Sequence, residues 1–244
     1  IRTFQLPHGG IITPELSPMI GDVNFFPSLN QQIYHKQNNM LNGRSFLSGV
    51  PHLKIPLPSR KKNYENIIIF MKNMGMRRWE FDDYEKILEI VEYIIDFANK
   101  KNFQVIIKFH PSGGRHIFEY FKKYKIFKMK KTLLLINYNT NKLLEDNEIF
   151  VCLQESSVIN QIISMDKSLI FPLMHLNKNY KNNYLLKKIK QDLLVPKKLT
   201  DIGKLIDQIK RNSIPKKNKR SSFKTFFGIK SIDRINHYVT KKKY

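Results

Sequence analysis

NIIIFM (Asn66 to Met71), DDYEKILEIVEYIIDFANKK (Asp82 to Lys101) and QVIIKF (Gln104 to Phe109) follow one another along the chain, and their alternation decides the fold. The first and third are short runs rich in β-branched residues, the pattern of a strand covered on both faces. The middle stretch sets Tyr84, Ile87, Leu88, Val91, Ile94, Ile95 and Ala98 at three- and four-residue steps, which is one face of a helix. Asp82 with Glu85 three residues later has the form of a capping box, with Asp in the Ser/Thr place. Strand, helix, strand at this spacing predicts a right-handed βαβ unit with parallel strands.

The pattern continues toward the C-terminus. A helix is predicted over about His116 to Tyr124, then strands at TLLLI (Thr132 to Ile136) and EIFVCL (Glu148 to Leu153). SVINQIISM (Ser157 to Met165) reads as a helix, SLIF (Ser168 to Phe171) as a strand, and Asn183 to Leu193 and Thr200 to Arg211 as helices. The expected fold class is therefore α/β, a Rossmann-like parallel sheet with helices on both faces. Toward the N-terminus the texture differs. Pro7, Pro14, Pro18, Pro27, Pro51, Pro56 and Pro58 punctuate a loop-rich stretch, and SRKKNYE (Ser59 to Glu65) has the composition of a linker. Three regions result: 1–60 as the incomplete end of an N-terminal domain and a linker, 61–214 as the Rossmann-like nucleotide-binding domain, and 215–244 as a basic tail, either disordered or an amphipathic helix.

Composition bounds the function. With 244 residues, 41% hydrophobic and 12% aromatic, the chain buries a sizeable core, so wholesale disorder is excluded. One cysteine, Cys152, excludes a disulfide framework and a cysteine-rich zinc site. No apolar run approaches the roughly 18 residues of a membrane span, and the N-terminal residues lack the pattern of a signal peptide, so a cytoplasmic location is expected. The net charge is +23, of which residues 215–244 carry +9. The rest is spread, and Lys, Asn and Ile are abundant throughout, which favours a solvated surface over a polyanion site.

In an open parallel sheet ligands bind beyond the carboxyl ends of the strands. KFHPSGGRH lies there, directly after the strand ending at Phe109. His110 is the first residue off that strand, Pro111 stiffens the turn, and Ser112, Gly113 and Gly114 leave backbone N–H groups open to a phosphate. The plain alternative is a strand-capping His and an ordinary Gly-Gly turn. LQESSVINQ follows the strand ending at Leu153. Ser156 or Ser157 there either caps the next helix or offers its hydroxyl to an anion, and Glu155 suits a ribose hydroxyl or the orienting of a base. A third candidate is QLPHGG, where His8 is either a general base toward an acceptor hydroxyl or part of a flexible terminus. Neither Gly-Gly pair forms a GxGxxG or Walker pattern, and no metal-ligand spacing is present.

The order LPHGG (Leu6 to Gly10), LSGVPHL (Leu47 to Leu53), IIKFHPSGG (Ile106 to Gly114) and ESSVINQIISMDKSLIFP (Glu155 to Pro172) resembles the nucleotide-binding, C-terminal half of GT-B glycosyltransferases. It looks most like the capsule and surface-polysaccharide group, polysialyltransferase-like and CDP-glycerol glycerophosphotransferase-like enzymes. The resemblance implies that His110 and Ser156/Ser157 hold the phosphates of a nucleotide-activated donor, CMP- or CDP-linked, with His8 opposite, near a glycan or lipid-linked acceptor. It also implies that most of an N-terminal Rossmann domain precedes Gln5 in such enzymes. Two motifs depart from the family. Its "gkP" is here Asp166-Lys167-Ser168, and its acidic residue after the Ser pair is Asn160 or Gln161. That leaves Glu155 as the ribose candidate.

The expected activity is transfer of a sugar or polyol-phosphate in surface or capsular polysaccharide synthesis. His110, the Ser112 to Gly114 amides and the Ser156/Ser157 turn would stabilise charge on the leaving phosphate. No tightly bound cofactor or metal is expected, and the basic tail would hold the chain near anionic lipid. A nucleotide-sugar 2-epimerase of the same fold is the alternative within the class. A basic nucleic-acid-binding module or a non-catalytic scaffold is the alternative outside it; nucleic acid is not the expected partner, because no recognised motif for it occurs.

Overall fold

Buried β-branched runs can only be satisfied by a sheet with both faces covered, and the structure is built that way. A computed structural model describes residues 4–5, 19–26, 29–49, 62–71, 81–110, 119, 122–123, 131–153, 156, 158–172, 193–214 and 229–240. The chain divides into two compact units. One comprises Ile1–Ile55, Asn183–Ile189 and Asn218–Tyr244; the other comprises Pro56–Asn182 and Lys190–Lys217.

The second unit holds five parallel strands: β4 (Asn63–Met71), β5 (Gln104–Phe109), β6 (Thr132–Leu135), β7 (Asn147–Cys152) and β8 (Ser168–Ile170). Their spatial order is β6-β5-β4-β7-β8. The chain starts in the middle, builds outward to one side, then returns and builds to the other. Right-handed crossovers then put α2 (Phe81–Lys101) on one face and α3 (Thr140–Asp146) and α4 (Val158–Ser164) on the opposite one. Ile67, Ile69, Val105, Ile107, Ile149 and Val151 alternate toward α2 and toward α5 (Leu199–Lys210), which packs beside it. Each fully buried isoleucine contributes about 1.5–3 kcal/mol, so this layer supplies much of the unit's stability. Phe70 and Phe150 point to the other face, their rings stacked at 6.3 Å.

The sequence reading places these elements closely, with three differences. Strand β4 starts at Asn63, inside the expected linker, where Asn63 pairs with Asn147 ahead of an irregularity in register. Helix α2 starts at Phe81, one residue ahead of the expected cap at Asp82. Helix α3 was not anticipated at all. It begins at an Asn139 N-cap whose side chain accepts from the Asn141 N–H at 2.9 Å. The expected helix over 183–193 lies almost wholly outside the described residues.

The first unit, expected to be loop-rich with short apolar pieces, holds a second parallel sheet. Its strands are β1 (Phe4–Gln5), β2 (Val23–Phe26) and β3 (Arg44–Leu47) in that order, with α1 (Leu29–Gln37) crossing between β2 and β3. Asn24, fully buried in β2, donates from its amide to the carbonyls of Gly21 and Asn42 and accepts from the Gly21 N–H. A polar residue in the strand thus ties its own entry to the entry of β3. The chain returns here as α6 (Ile229–Thr240), so that part of the expected tail is helix. Tyr238 lies 4.2 Å from Phe46 and 6.4 Å from Phe25, ring centre to ring centre, and Arg234 donates to the Leu47 carbonyl at 2.9 Å. Among the described residues no helix is long and apolar enough to cross a membrane.

Candidate functional site

The strand order reverses between β4 and β7, and a parallel sheet opens a crevice at the carboxyl ends of strands at such a point. Two candidate residues leave the sheet there. His110 follows β5 on one side of β4 and is exposed; its N–H donates to the Met71 carbonyl at the end of β4 at 3.1 Å. Ser156 follows β7 on the other side and is half-buried. Three residues before it, the Leu153 N–H donates to the Phe70 carbonyl at 3.3 Å. All strands are parallel, so the imidazole and the hydroxyl start from one edge. Their strands lie two positions apart, roughly 10 Å between axes.

Ser156 has work within the fold. Its Oγ accepts from the Val158 N–H at 3.4 Å and its carbonyl accepts from the Ile159 N–H at 3.1 Å, so it caps the start of α4. The capping bond is long and leaves the hydroxyl proton to donate elsewhere. His8, Ser112, Gly113, Gly114, Glu155 and Ser157 lie outside the described residues. Of the expected set, His110 and Ser156 are thus the pair that the sheet brings to one edge.

Two residues near this edge were not singled out as site candidates from the sequence. Asn160, on the first turn of α4, is fully buried, and neither its Oδ1 nor its Nδ2 has a hydrogen-bond partner among the described residues. A buried amide left unpaired costs about 1–3 kcal/mol, so the fold alone does not account for this side chain. The sequence pointed to this place only as a departure from an acidic residue. Lys108, two residues before His110, is 5% exposed and directs its ammonium to the carbonyls of Phe109 and Ile136, each at 2.6 Å. Burial holds its pKa below the usual lysine value. The K-x-HP spacing contained this lysine, but nothing in the spacing told whether it faced solvent or the core.

The lysine of the departed "gkP" motif is structural. Lys167 donates to the carbonyls of Leu144 and Asn147, each at 2.6 Å, and of Glu145 at 3.2 Å, and pairs with Glu148 at 3.1 Å. It ties the end of α3 and the start of β7 to the start of β8, at the edge opposite His110.

No family model matches the chain, and no curated protein matches it. Solved structures do. TarM superposes with a TM-score of 0.51 at 14% identity, over 99% of this chain and 48% of TarM. S. aureus MnaA, solved with UDP, superposes with a TM-score of 0.53 at 12% identity, over 91% of this chain and 61% of MnaA. The chain thus spans about half to three fifths of the structures it resembles. The element order, the parallel sheet covered on both faces and these superpositions agree: the chain has an α/β, Rossmann-like fold of the GT-B kind.

Proposed function

We propose that the second unit binds the nucleotide of an activated donor and that the chain is the nucleotide-binding half of a GT-B transferase of surface or capsular polysaccharide synthesis. The single observation that carries this reading is the departure of His110 and Ser156 from one sheet edge, on either side of the strand where the order reverses. A phosphate between them would accept from the imidazole N–H and the serine hydroxyl. The Ser112 to Gly114 turn and Ser157 would add donors. Fixed donors aimed at the leaving phosphate stabilise the charge that develops as the donor's sugar–phosphate bond breaks or, where a polyol-phosphate is transferred, as its phosphoanhydride bond breaks to release CMP. Asn160 would offer its amide to a ribose hydroxyl, with Glu155 beside it. His8 would take the proton of the attacking acceptor hydroxyl on a glycan or lipid-linked acceptor.

The donor we propose is CMP- or CDP-linked, on the strength of the sequence resemblance; UDP is the nucleotide in the MnaA structure. The excess charge of residues 215–244 supports a place at an anionic membrane surface, where each basic residue contributes about 1 kcal/mol.

Thermal denaturation with CMP, CDP, UDP and GDP tests the reading. One nucleotide is expected to stabilise the chain by about 2.7 kcal/mol at a hundredfold excess over its Kd, and His110→Ala to abolish that gain without changing the unliganded Tm. Absence of stabilisation by all four, or stabilisation untouched by the variant, overturns it. Turnover of a nucleotide sugar with no acceptor present assigns an epimerase instead.

A further inference from the structure

We infer that Lys108 is a positioning residue for His110: its buried ammonium locks the peptide that carries the histidine out of the sheet. The inference rests on the proposed phosphate-binding role of His110. Lys108 interrupts the otherwise apolar run Val105 to Phe109 and is almost fully buried. A charge in such a layer is retained only where good acceptors surround it. Among the described residues no carboxylate pairs with it; its partners are two backbone oxygens, Phe109 and Ile136.

Those two oxygens have a particular place. The β5–β6 ladder ends at the pair Lys108 and Leu135, so Phe109 and Ile136 are the first residues beyond it on each strand. The ammonium joins them and thereby extends the tie between the two chains by one residue. The Phe109 carbonyl and the His110 N–H belong to the same peptide group. Its oxygen is held by Lys108 at 2.6 Å and its N–H by Met71 at 3.1 Å. With both ends fixed, the plane of that peptide, and with it the direction in which the His110 side chain leaves β5, is set by β4 on one side and by the lysine on the other. A phosphate ligand needs its donors placed within a fraction of an ångström, and a peptide anchored at one end alone does not provide that.

Lys108→Met keeps the aliphatic stem and removes the donors. Hydrogen exchange followed by NMR reads the peptide directly. In the variant the His110 amide is expected to exchange at least about tenfold faster, while the Ile69 and Ile107 amides in the middle of the ladders keep their rates. Unchanged His110 exchange overturns the inference. Lys108→Gln, which retains one amide donor, serves if the methionine variant does not fold, with the same comparison of His110 against Ile69 and Ile107.

Calorimetric titration with CDP and with UDP reads the consequence. Lys108→Met is expected to weaken binding about tenfold in the wild-type background and to add nothing in His110→Ala, because the two act as one unit. Full-strength binding by Lys108→Met, or losses that add, overturns the positioning role. If His110→Ala itself binds as tightly as wild type, the phosphate reading of His110 fails, and the exchange result still decides whether Lys108 fixes the peptide.

Discussion

Lys108, Lys167 and Asn160 are all buried polar residues of the second unit, and they differ in what answers them. Both lysines are surrounded by backbone carbonyls, so each charge is paired where it sits. The Asn160 amide meets no donor and no acceptor among the described residues. On the proposed reading, that contrast separates groups that serve the fold from one that would serve a ligand. It leads to a prediction in which stability and binding move in opposite directions. Asn160→Leu keeps the branching of the side chain and removes the unpaired amide. It is expected to raise stability by about 1 kcal/mol and to abolish the nucleotide-dependent rise in Tm. Denaturation with and without nucleotide checks both halves; a variant that is less stable and still binds refutes the assignment.

At the scale of elements, the helices share one way of stopping. Helices α1, α2, α4 and α5 are each followed by an Asn or Asp with positive φ: Asn39 at 54°, Asn102 at 62°, Asp166 at 61° and Asn212 at 50°. The next N–H then reaches back five residues, as from Met40 to His35, Phe103 to Ala98, Lys167 to Ile162 and Ser213 to Gln208. This is the Schellman closure with asparagine or aspartate where glycine is usual. The abundance of asparagine, taken from the sequence as surface filling, is therefore partly punctuation. Where two helices meet, a glycine is required: a Cβ on Gly203 of α5 would lie 2.7 Å from Cε2 of Phe97 and 2.9 Å from the hydroxyl oxygen of Tyr93, both on α2. Gly203→Ala gains helix propensity of about 1 kcal/mol but forces the helices apart, and a net loss of about 1–2 kcal/mol is expected in chemical denaturation.

The same scale shows what the sequence made legible. The βαβ run from Asn66 to Phe171 could be read because its strands are continuous apolar runs and α2 has a clean stripe. β2 and β3 could not, being four residues each, one with Asn24 at its centre and the other opening on Arg44 and Ser45. α1 reads LNQQIYHKQ, too polar for any stripe to show, and α3 is only seven residues long. The placing of His110 and Ser156 at one sheet edge could be read because the ends of their strands could be read. Asn160 and Lys108 could not be assigned, since only packing reveals whether an amide is answered or an ammonium is turned inward.

For the whole molecule, alkaline pH is the informative variable. Cys152 sits at the end of β7, fully buried, and burial raises its thiol pKa far above the ordinary 9.0. Above that value the unfolded chain releases the proton and the folded chain keeps it, so stability falls as pH rises, by about 1.4 kcal/mol per unit once the unfolded thiol has ionised. Tyr93, raised chiefly by burial, acts in the same direction at still higher pH. Lys108, lowered by burial, acts in the opposite direction, because the unfolded lysine holds its proton longer. Cys152→Val, which removes the thiol at similar volume, is expected to flatten the decline in Tm between pH 9 and pH 10.5; an unchanged decline excludes the thiol as its source.

The return of α6 to the first sheet has a consequence for synthesis. Arg234 and the Leu47 carbonyl that it holds are 187 positions apart. The ribosome therefore releases β2 and β3 long before the helix that shields Phe25 and Phe46, while every strand of the other sheet emerges in between. The apolar face of β2 and β3 therefore waits through the synthesis of the whole second sheet for this cover, and a chain that stops before α6 leaves that face open to chaperones and proteases.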